Sequence, residues 1–416
     1  MSDGSPISDS PLLVPFVIIG ICIAIVAVMM VIQPVPQKTV TAPASITLTV
    51  PFPPIPVPST DAVNLAYELE IAPSDNQPGI PEKIEVLDPA TGKILYTASG
   101  DQLAAFYHKK ADPPPTAAEL QNGTVKLLIP RISLWLTVNS TSVPDRLVHR
   151  LTLNHSATGS PPLTVTSSDV VVRKDLAPVV IGSPMHGPGW MAIETTAPTT
   201  HHFLGQIVMG GVPRVPQRFA QDWIYIDPVT GSAVAGNASV AKNYLGYGKE
   251  IYAVRNGTVV DLLDGLPDNE RIYAAPPFSV ETAAGNYVII DIGNRKYACY
   301  AHMIPGSIRV KKGDMVTEGQ VIGLMGNSGN SDLPHLHFQV VTDSPTFLGA
   351  EGYPHVYRSF DVIGGINQTR VDKMMTEPGF TIARLWGEFG NLVKFSQKPV
   401  PQENRLLENN AIVRLP

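Results

Sequence analysis

Residues 310–323, Val-Lys-Lys-Gly-Asp-Met-Val-Thr-Glu-Gly-Gln-Val-Ile-Gly, decide the fold of the second half of the chain. Gly313 and Gly319 are spaced to give two tight turns that link short strands. β-Branched runs precede this stretch, so we predict an antiparallel, mainly β domain. The upstream strands that we predict are Glu250–Val254, Gly257–Asp261, Tyr287–Ile292 and Tyr297–Ala301.

Histidines flank this stretch on both sides. Downstream, His335 and His337 lie in the sequence Pro-His-Leu-His-Phe, directly after a turn-rich Gly/Asn/Ser segment. Because residues i and i+2 of a strand share a face, both imidazoles are expected to point into one site, where they would make half of a zinc site. Upstream, His302 ends a predicted strand, a position that suits a water-polarising or oxyanion-stabilising histidine.

The order of these motifs along the chain resembles the lysostaphin-like family of zinc metallo-endopeptidases, which cleave peptide cross-bridges in peptidoglycan. In that family the second histidine of H-x-H ligates zinc, which implies His337 as a ligand. The first histidine of H-x-H and the histidine of Y-A-H assist catalysis, which implies His335 and His302 as catalytic residues. An aspartate ligand ends an upstream H-x-x-x-D motif, and Asp222 fits that position. The spacing in 310–323 also occurs in biotinyl and lipoyl carrier domains, but here no modifiable lysine occupies the expected hairpin turn.

The upstream motif departs from the family pattern at its first position, where this chain has Arg218. Arginine cannot bind zinc because its guanidinium stays protonated. The nearest replacements are His201 and His202, and we predict zinc held by Asp222, His337 and one of these two histidines. A water would take the fourth position, as in catalytic zinc sites. The alternative is an incomplete site.

The choice between the two histidines depends on a predicted hairpin. A turn at Gly210-Gly211 would place His201 opposite Ala220, on the same face as the aspartate ligand. Pro213 leaves the register open by one residue, and a shift of one would substitute His202. Neighbouring residues of a strand face opposite ways, so we expect only one of the pair to be a ligand.

The composition favours a β-rich protein of more than one domain without a nucleic-acid partner. The chain has 416 residues, of which 16% are charged, and 40 are proline, which favours short strands and turns. A net charge of −6 gives no electrostatic case for binding nucleic acid. We predict an anchor over 1–33, a Pro/Thr-rich linker over 34–59, a β-sandwich over 60–180, a zinc peptidase-like domain over 181–375 and a C-terminal extension over 376–416.

Residues 11–32 carry no charge and are almost wholly apolar. As a helix they would rise about 33 Å, enough to cross the core of a bilayer. We therefore predict an uncleaved N-terminal transmembrane helix that leaves the bulk of the chain extracytoplasmic. A cleaved signal peptide is the alternative, although residues 1–10 contain no Lys or Arg, unlike the start of a signal peptide.

Together these features predict a membrane-anchored zinc endopeptidase. The resemblance implies that it hydrolyses peptide bonds in peptidoglycan-like cell-wall polymers, with a metal-activated water as the nucleophile. The alternative is a degenerate, non-catalytic domain that binds the wall polymer or regulates another hydrolase. The arginine at position 218 is the reason to keep that alternative.

Overall fold

A computed structural model describes residues 46–72, 79–154, 161–195 and 197–416. In these ranges no helix is both long enough and apolar enough to cross a membrane. The transmembrane helix predicted over 11–32 lies outside the described residues. The described chain is mainly β and its strand pairs are largely antiparallel, as the sequence predicts.

The N-terminal unit is a sandwich of two five-stranded sheets. Its strands are β1 (Thr47–Thr49), β2 (Val57–Pro58), β3 (Ala62–Ala72), β4 (Ile80–Leu87), β5 (Ile94–Ser99), β6 (Tyr107–His108), β7 (Arg131–Asn139), β8 (Arg146–Asn154), β9 (Leu163–Thr166) and β10 (Val170–Val171). Two helices, α1 (Gly100–Phe106) and α2 (Ala117–Asn122), connect strands of this unit. One sheet has the order β1-β3-β7-β6 with β2 on β3, and the other has the order β10-β8-β4-β5 with β9 on β8. Strands β1 and β2 lie within the segment predicted as a linker.

Strand β3 is buried on both faces. Alternate residues such as Leu65, Tyr67 and Leu69 face the apolar core between the two sheets. The residues between them, Ala66 and Glu68, are also buried because the second unit covers the outer face of this sheet. Because both faces of β3 are covered, nearly all of its residues are buried.

The second unit is built on a twelve-stranded sheet. Its strands are β11 (Val179–Ile181), β12 (Gly187–Ile193), β13 (Ile207–Met209), β14 (Val212–Arg214), β15 (Gln221–Tyr225), β16 (Glu250–Tyr252), β17 (Gly257–Leu263), β18 (Asn286–Asp291), β19 (Lys296–Met303), β20 (Met315–Val316), β21 (Val321–Leu324), β22 (Leu336–Thr342), β23 (Glu351–Gly352), β24 (His355–Ile366), β25 (Val393–Arg405) and β26 (Ala411–Leu415). The helices are α3 (His201–Leu204), α4 (Gln368–Met375) and α5 (Ile382–Gly387). The large sheet has the order β11-β24-β26-β12-β15-β22-β19-β18-β17-β20, with β23 on β22 and β25 on β24. Strands β13 and β14 pair with each other, as do β16 and β21.

The end of the chain is part of this sheet. Strand β26 lies between β24 and β12, and its residues Ile412 and Val413 are fully buried. The sequence predicts a final strand at 411–414, and the structure confirms it. The C-terminal residues therefore contribute to the same sheet that carries the candidate site.

The two units share a buried apolar contact. Trp135 of the sandwich lies edge-on to Phe203, with ring centroids 5.2 Å apart, and 6.1 Å from the ring of Phe219. These three rings belong to one buried cluster with residues of β3 and β24. The contact places the sandwich directly beside helix α3, which carries the histidines discussed below.

The predicted hairpin forms, but it does not extend to the histidines. Strands β13 and β14 turn at Gly210-Gly211, as expected. The placement of His201 opposite Ala220 in an extended strand is wrong, because His201 and His202 lie in helix α3. The hydroxyl of Thr200 accepts a hydrogen bond from the backbone N–H of the third helical residue, which caps the helix and ends any extended chain there.

Candidate active site

Three neighbouring strands bring the predicted site residues together. Asp222 on β15 is paired directly with His337 on β22, and His337 is paired directly with Ala301 on β19. Directly paired residues of adjacent strands project from the same face, so the Asp222 and His337 side chains meet. Nδ1 of His337 lies 2.8 Å from Oδ1 of Asp222.

The hydrogen bonds of His337 fix which ring nitrogen faces the aspartate. Gln339 donates from its amide nitrogen to the backbone carbonyl of Phe347 at 2.7 Å, so its amide oxygen faces His337. That oxygen accepts from Nε2 of His337 at 2.8 Å. In the neutral ring Nε2 therefore carries the proton, and Nδ1 presents a lone pair toward Asp222. Gln339 is two residues beyond His337 on the same strand face, and an H-x-H-x-Q pattern was the available sequence signal for this role.

A third donor comes from helix α3. Nδ1 of His202 donates to the backbone carbonyl of Glu194 at 2.7 Å, so the lone pair lies on Nε2. This Nε2 is 3.5 Å from Oδ2 of Asp222, and the His202 side chain is 2% exposed. The neighbouring His201 side chain is 60% exposed, and its Nδ1 lies 3.0 Å from the carboxylate of Glu194. The structure thus brings His202 to the aspartate as a buried donor and leaves His201 largely in solvent.

The carboxylate of Asp222 is buried and faces histidine nitrogens that carry lone pairs. Within the described residues, its Oδ1 accepts no hydrogen bond although it is inaccessible to solvent. With the His337 ring in its neutral form, Oδ1 of Asp222 and Nδ1 of His337 are two acceptor atoms that face each other at 2.8 Å. Such an arrangement costs free energy unless a cation lies against both atoms.

The donor set fits a divalent metal ion. Asp222, His202 and His337 supply one oxygen and two imidazole nitrogens, which is the ligand chemistry of zinc. Each imidazole has its other nitrogen bonded to a protein acceptor, as metal-binding histidines in proteins usually do. We infer that these three residues would hold the metal that the sequence predicts.

Two further histidines lie beside this set. Nδ1 of His335 donates to the carbonyl of Leu333 at 2.7 Å, and Nδ1 of His302 donates to the carbonyl of Ser328 at 2.8 Å. In both neutral rings the lone pair therefore lies on Nε2. The ring centroids of the two histidines are 4.7 Å apart, and Nε2 of His335 is 3.4 Å from Asp222.

A left-handed backbone turns His302 into the site. Ala301 is opposite His337, so in a regular strand the next side chain would face the other side of the sheet. His302 has φ of +64°, a conformation that is uncommon for a residue other than glycine. Its ring centroid lies 5.9 Å from that of His337, inside the site. Backbone strain of this kind concentrates at functional positions.

Glycines hold the carbonyl that orients His302. Gly285 has φ of +60°, and a side chain there would place its first carbon 2.4 Å from the carbonyl oxygen of Ser328. At Gly329, with φ of +72°, a side chain would place its first carbon 2.3 Å from the backbone nitrogen of Gly285. The absence of side chains at both glycines lets the loop before His335 pack against the start of β18.

Burial and mutual charge shift the pKa values of the site. Burial alone would raise the pKa of Asp222, but His335, His202 and His337 outweigh it and lower that pKa well below its usual value. Burial lowers the pKa values of His202 and His302 well below their usual value, so both rings are neutral at pH 7. Burial also opposes charge on His335, but the Asp222 carboxylate raises its pKa. A divalent cation on Asp222 would offset that last effect.

Arg218 is not part of this site. Its guanidinium donates to both carboxylate oxygens of Glu68, at 2.6 and 2.5 Å, and also to the carboxylate of Glu351. All three side chains are buried, and Glu68 belongs to β3 of the sandwich. The arginine therefore joins the two units at the position where the family motif has a ligand.

The site opens into a cavity of about 870 Å³ with walls from both units. The wall from the second unit includes the four histidines of the site, the exposed His201, Asp222, Asp332 and Phe347. The sandwich contributes the opposite wall, which includes His108, Lys109, Val125 and Leu127. A cavity of this size holds a drug-sized ligand or a short peptide segment.

The site residues can now be compared with known proteins. Residues 243–347 match the model of peptidase family M23. The chain carries a peptidase family M23 domain. The matched range contains His302, His335 and His337, whereas Asp222 and His202 precede it. Strand pairing brings Asp222 to His337, and helix α3 brings His202 to Asp222.

Two of the sequence relatives are named as peptidoglycan DD-endopeptidases. The chain is 48% identical over 58 residues to the peptidoglycan DD-endopeptidase ShyA of Vibrio cholerae, an alignment that covers 14% of this chain and 13% of ShyA. It is 32% identical over 114 residues to the peptidoglycan DD-endopeptidase ShyB of the same organism, covering 27% of this chain and 22% of ShyB. The matched region is thus a small part of each relative's length.

Among solved structures, the catalytic domain of lysostaphin from Staphylococcus simulans is similar. It shares 26% identity, with 30% of this chain and 84% of that chain covered and a TM-score of 0.19. The catalytic domain of the M23 protein EnpA from Enterococcus faecalis shares 22% identity, with 33% and 73% covered and a TM-score of 0.21.

Proposed function

We propose that the chain is a zinc-dependent endopeptidase that hydrolyses peptide bonds in peptidoglycan-like cell-wall cross-bridges. The observation that carries this proposal is the convergence of the lone pairs of Asp222, His202 and His337, with His302 and His335 beside them. Three protein ligands with a position left for substrate or water are typical of catalytic zinc, whereas structural zinc has four protein ligands.

The substrate class rests on the relatives and on the cavity. Two of the relatives are named as peptidoglycan DD-endopeptidases, and residues 243–347 match the model of peptidase family M23. The cavity is lined by residues of both units, which suits an extended peptide more than a small metabolite. Both observations support a wall peptide as the substrate.

A bound zinc ion would supply Lewis-acid chemistry, lowering the pKa of water and stabilising charge on the scissile carbonyl. The chain's own residues then handle the protons. His335 and His302 each bond a carbonyl through Nδ1, so Nε2 is the atom that accepts or gives a proton. Nε2 of His335 lies 3.4 Å from Oδ1 of Asp222 and suits removal of a proton from the attacking water. His302, turned inward by its left-handed backbone, suits donation to the developing oxyanion or the leaving amine.

The alternative, a non-catalytic wall-binding or regulatory domain, loses its main support. Arg218 motivated it, and Arg218 is engaged with Glu68 and Glu351 away from the candidate ligands. A binding domain would also have no need of two extra imidazoles held in fixed tautomers beside the ligand set. We therefore favour the enzyme.

The test uses the full-length chain purified in detergent. We expect about one zinc per chain, and release of peptides from isolated peptidoglycan that stops on chelation and returns with added zinc. A His302→Ala variant should bind zinc and release no peptides. Absence of zinc from freshly prepared, unchelated protein would reject the metal site, and zinc binding without any cleavage of wall peptides would favour the non-catalytic alternative.

We also propose that residues 11–32 anchor the chain in the membrane with its bulk outside the cytoplasm. The length and apolar character of this segment are the support. The full-length protein should stay in the membrane fraction after high-salt and alkaline washes and be accessible to protease added outside. Recovery of a soluble form that begins near Ser45 would instead indicate a cleaved signal.

A further inference from the structure

His202 is supplied by a four-residue helix and not by a strand of the sheet, so something outside the sheet must hold it. Asp222 and His337 are fixed by direct strand pairing. Helix α3 has no such register, and a helix of this length has little stability of its own. The position of the His202 ring therefore depends on contacts made by its neighbours.

Glu194 makes those contacts with two different groups. Its backbone carbonyl accepts from Nδ1 of His202 at 2.7 Å, which orients the ring and leaves the lone pair on Nε2. Its carboxylate accepts from the backbone N–H of His201 at 3.2 Å and lies 3.0 Å from Nδ1 of the same residue. One residue thus holds both the start of helix α3 and the ring of the candidate ligand.

The backbone of Glu194 is adapted to this arrangement. Its φ is +52°, a left-handed conformation that is uncommon and unfavourable for glutamate. The preceding residue, Ile193, ends β12 and is paired directly with Asp222. The left-handed turn therefore starts beside the aspartate ligand and directs the carbonyl and the carboxylate of Glu194 toward helix α3.

We propose that Glu194 is the positioning residue of this metal site, because its carbonyl and carboxylate hold His202 against Asp222. In an H-x-x-x-D motif the first ligand is placed by strand geometry, and here the contacts of Glu194 take over that role. This inference rests on the proposed zinc site. Outer residues that orient a metal ligand typically contribute 10–100-fold to metal affinity. The Glu194 side chain is 15% exposed, so its contacts are only weakly screened by water.

The test measures zinc affinity of the full-length chain by competition with a chromophoric chelator. Glu194→Gly removes the carboxylate in a backbone conformation that glycine adopts without strain, so folding is preserved. Glu194→Gln keeps an oxygen that accepts from the N–H of His201. We expect the glycine variant to bind zinc at least tenfold more weakly than the parent, and the glutamine variant to stay within threefold.

A matched control removes another carboxylate from a left-handed position. Asp343 has φ of +72° and contacts only the exposed Arg295 among the ion pairs of the described chain, so Asp343→Gly should leave zinc affinity unchanged. At saturating zinc the glycine variant of Glu194 should recover most of the parental kcat, because a positioning residue does not touch the substrate.

The outcomes separate this inference from the proposed function. Parent protein that binds no zinc would reject the metal site itself. Parent protein that binds zinc, together with a Glu194→Gly variant of equal affinity, would reject only the role of Glu194. Equal weakening in the glycine and glutamine variants would also reject it, because the proposed contact needs an acceptor and not a charge.

Discussion

Replacing Arg218 by methionine tests whether this residue joins the two units or belongs to the metal site. Its guanidinium contacts Glu68 of the sandwich and Glu351 of the second unit, and all three side chains are at most 7% exposed. Methionine fills much of the same volume and removes the charge. Two buried carboxylates would then lie close together without a cation.

The magnitude follows from the burial of these groups. Removing one partner of a buried ion pair costs about 3–5 kcal/mol, since it leaves charge without compensation. We expect a loss of this size in the free energy of unfolding at pH 7. An exposed pair is the control: Arg414 lies 3.5 Å from Asp361 at the surface, and Arg414→Met should cost less than about 1 kcal/mol.

The pH dependence has a defined sign. Burial already raises the pKa of Glu351 in the fold, and Arg218 opposes that rise. Without the arginine this pKa rises further above the unfolded value, so the penalty is present at pH 7. It disappears as pH falls below the unfolded pKa of about 4.3, where Glu351 is protonated in both states. The deficit of the Arg218→Met variant should therefore shrink on acidification.

The assay is urea unfolding followed by tryptophan fluorescence at several pH values, with zinc content measured in parallel. Adding Glu68→Gln to Arg218→Met should recover part of the lost stability, because one of the two uncompensated charges is gone. A loss below about 1 kcal/mol at pH 7, or a deficit that does not change with pH, would refute the buried triad. Loss of zinc from a folded Arg218→Met variant would refute the separation of Arg218 from the metal site.

Three further predictions concern the histidines. His202→Ala should lose most of its bound zinc while His201→Ala keeps it, because only the first ring is buried against Asp222; equal zinc content in the two variants would contradict this. His337→Ala should lose both zinc and peptidase activity, whereas His302→Ala should keep zinc and lose activity. Metal analysis and peptide release measure the two effects, and loss of zinc from both variants would show that these roles are misassigned. Burial lowers the pKa of His149 in the sandwich to about 4, so the folded state resists protonation there. The unfolded ring takes a proton below about pH 6.5, so the free energy of unfolding should fall by about 3 kcal/mol between pH 6.5 and 4. In denaturant titrations His149→Gln should remove that part of the decline. An equal decline in both proteins would contradict the prediction.

The sequence alone was sufficient to predict how candidate site residues are arranged where that arrangement follows from strand geometry. The i and i+2 spacing of His335 and His337 predicted that both rings point into one site, and their contacts with Asp222 agree with it. The end of an H-x-x-x-D-like motif located Asp222 itself, which strand pairing places opposite His337. These relationships are local or follow from side-chain alternation, so a single sequence contains them.

The sequence was not sufficient where a side chain is placed by contacts between distant segments. A strand was the natural expectation for His201 and His202 before a hairpin, but the Thr200 cap and Glu194 fold that segment into helix α3. The left-handed backbone of Glu194 has no sequence signal, because glutamate does not favour that conformation. Histidine adopts it more often than most residues, but that preference is too weak to predict it at position 302. Such positions are imposed by the tertiary structure around them.

The arginine at position 218 and the histidine at position 202 are best understood as two parts of one rearrangement. Arg218 lies four residues before Asp222, and its guanidinium is drawn toward Glu68 on the outer face of the sandwich. A metal-binding histidine at position 218 would leave the Glu68 carboxylate buried without a positively charged partner. An arginine at position 218 pairs with Glu68 but cannot bind the metal, which then lacks one protein ligand. Helix α3 resolves this conflict because Phe203, next to His202, packs against Trp135 of the same sandwich sheet. The sandwich therefore contacts both Arg218, which stands at the family's ligand position, and the helix that carries His202. The proposed metal site would depend on the contact between the two units.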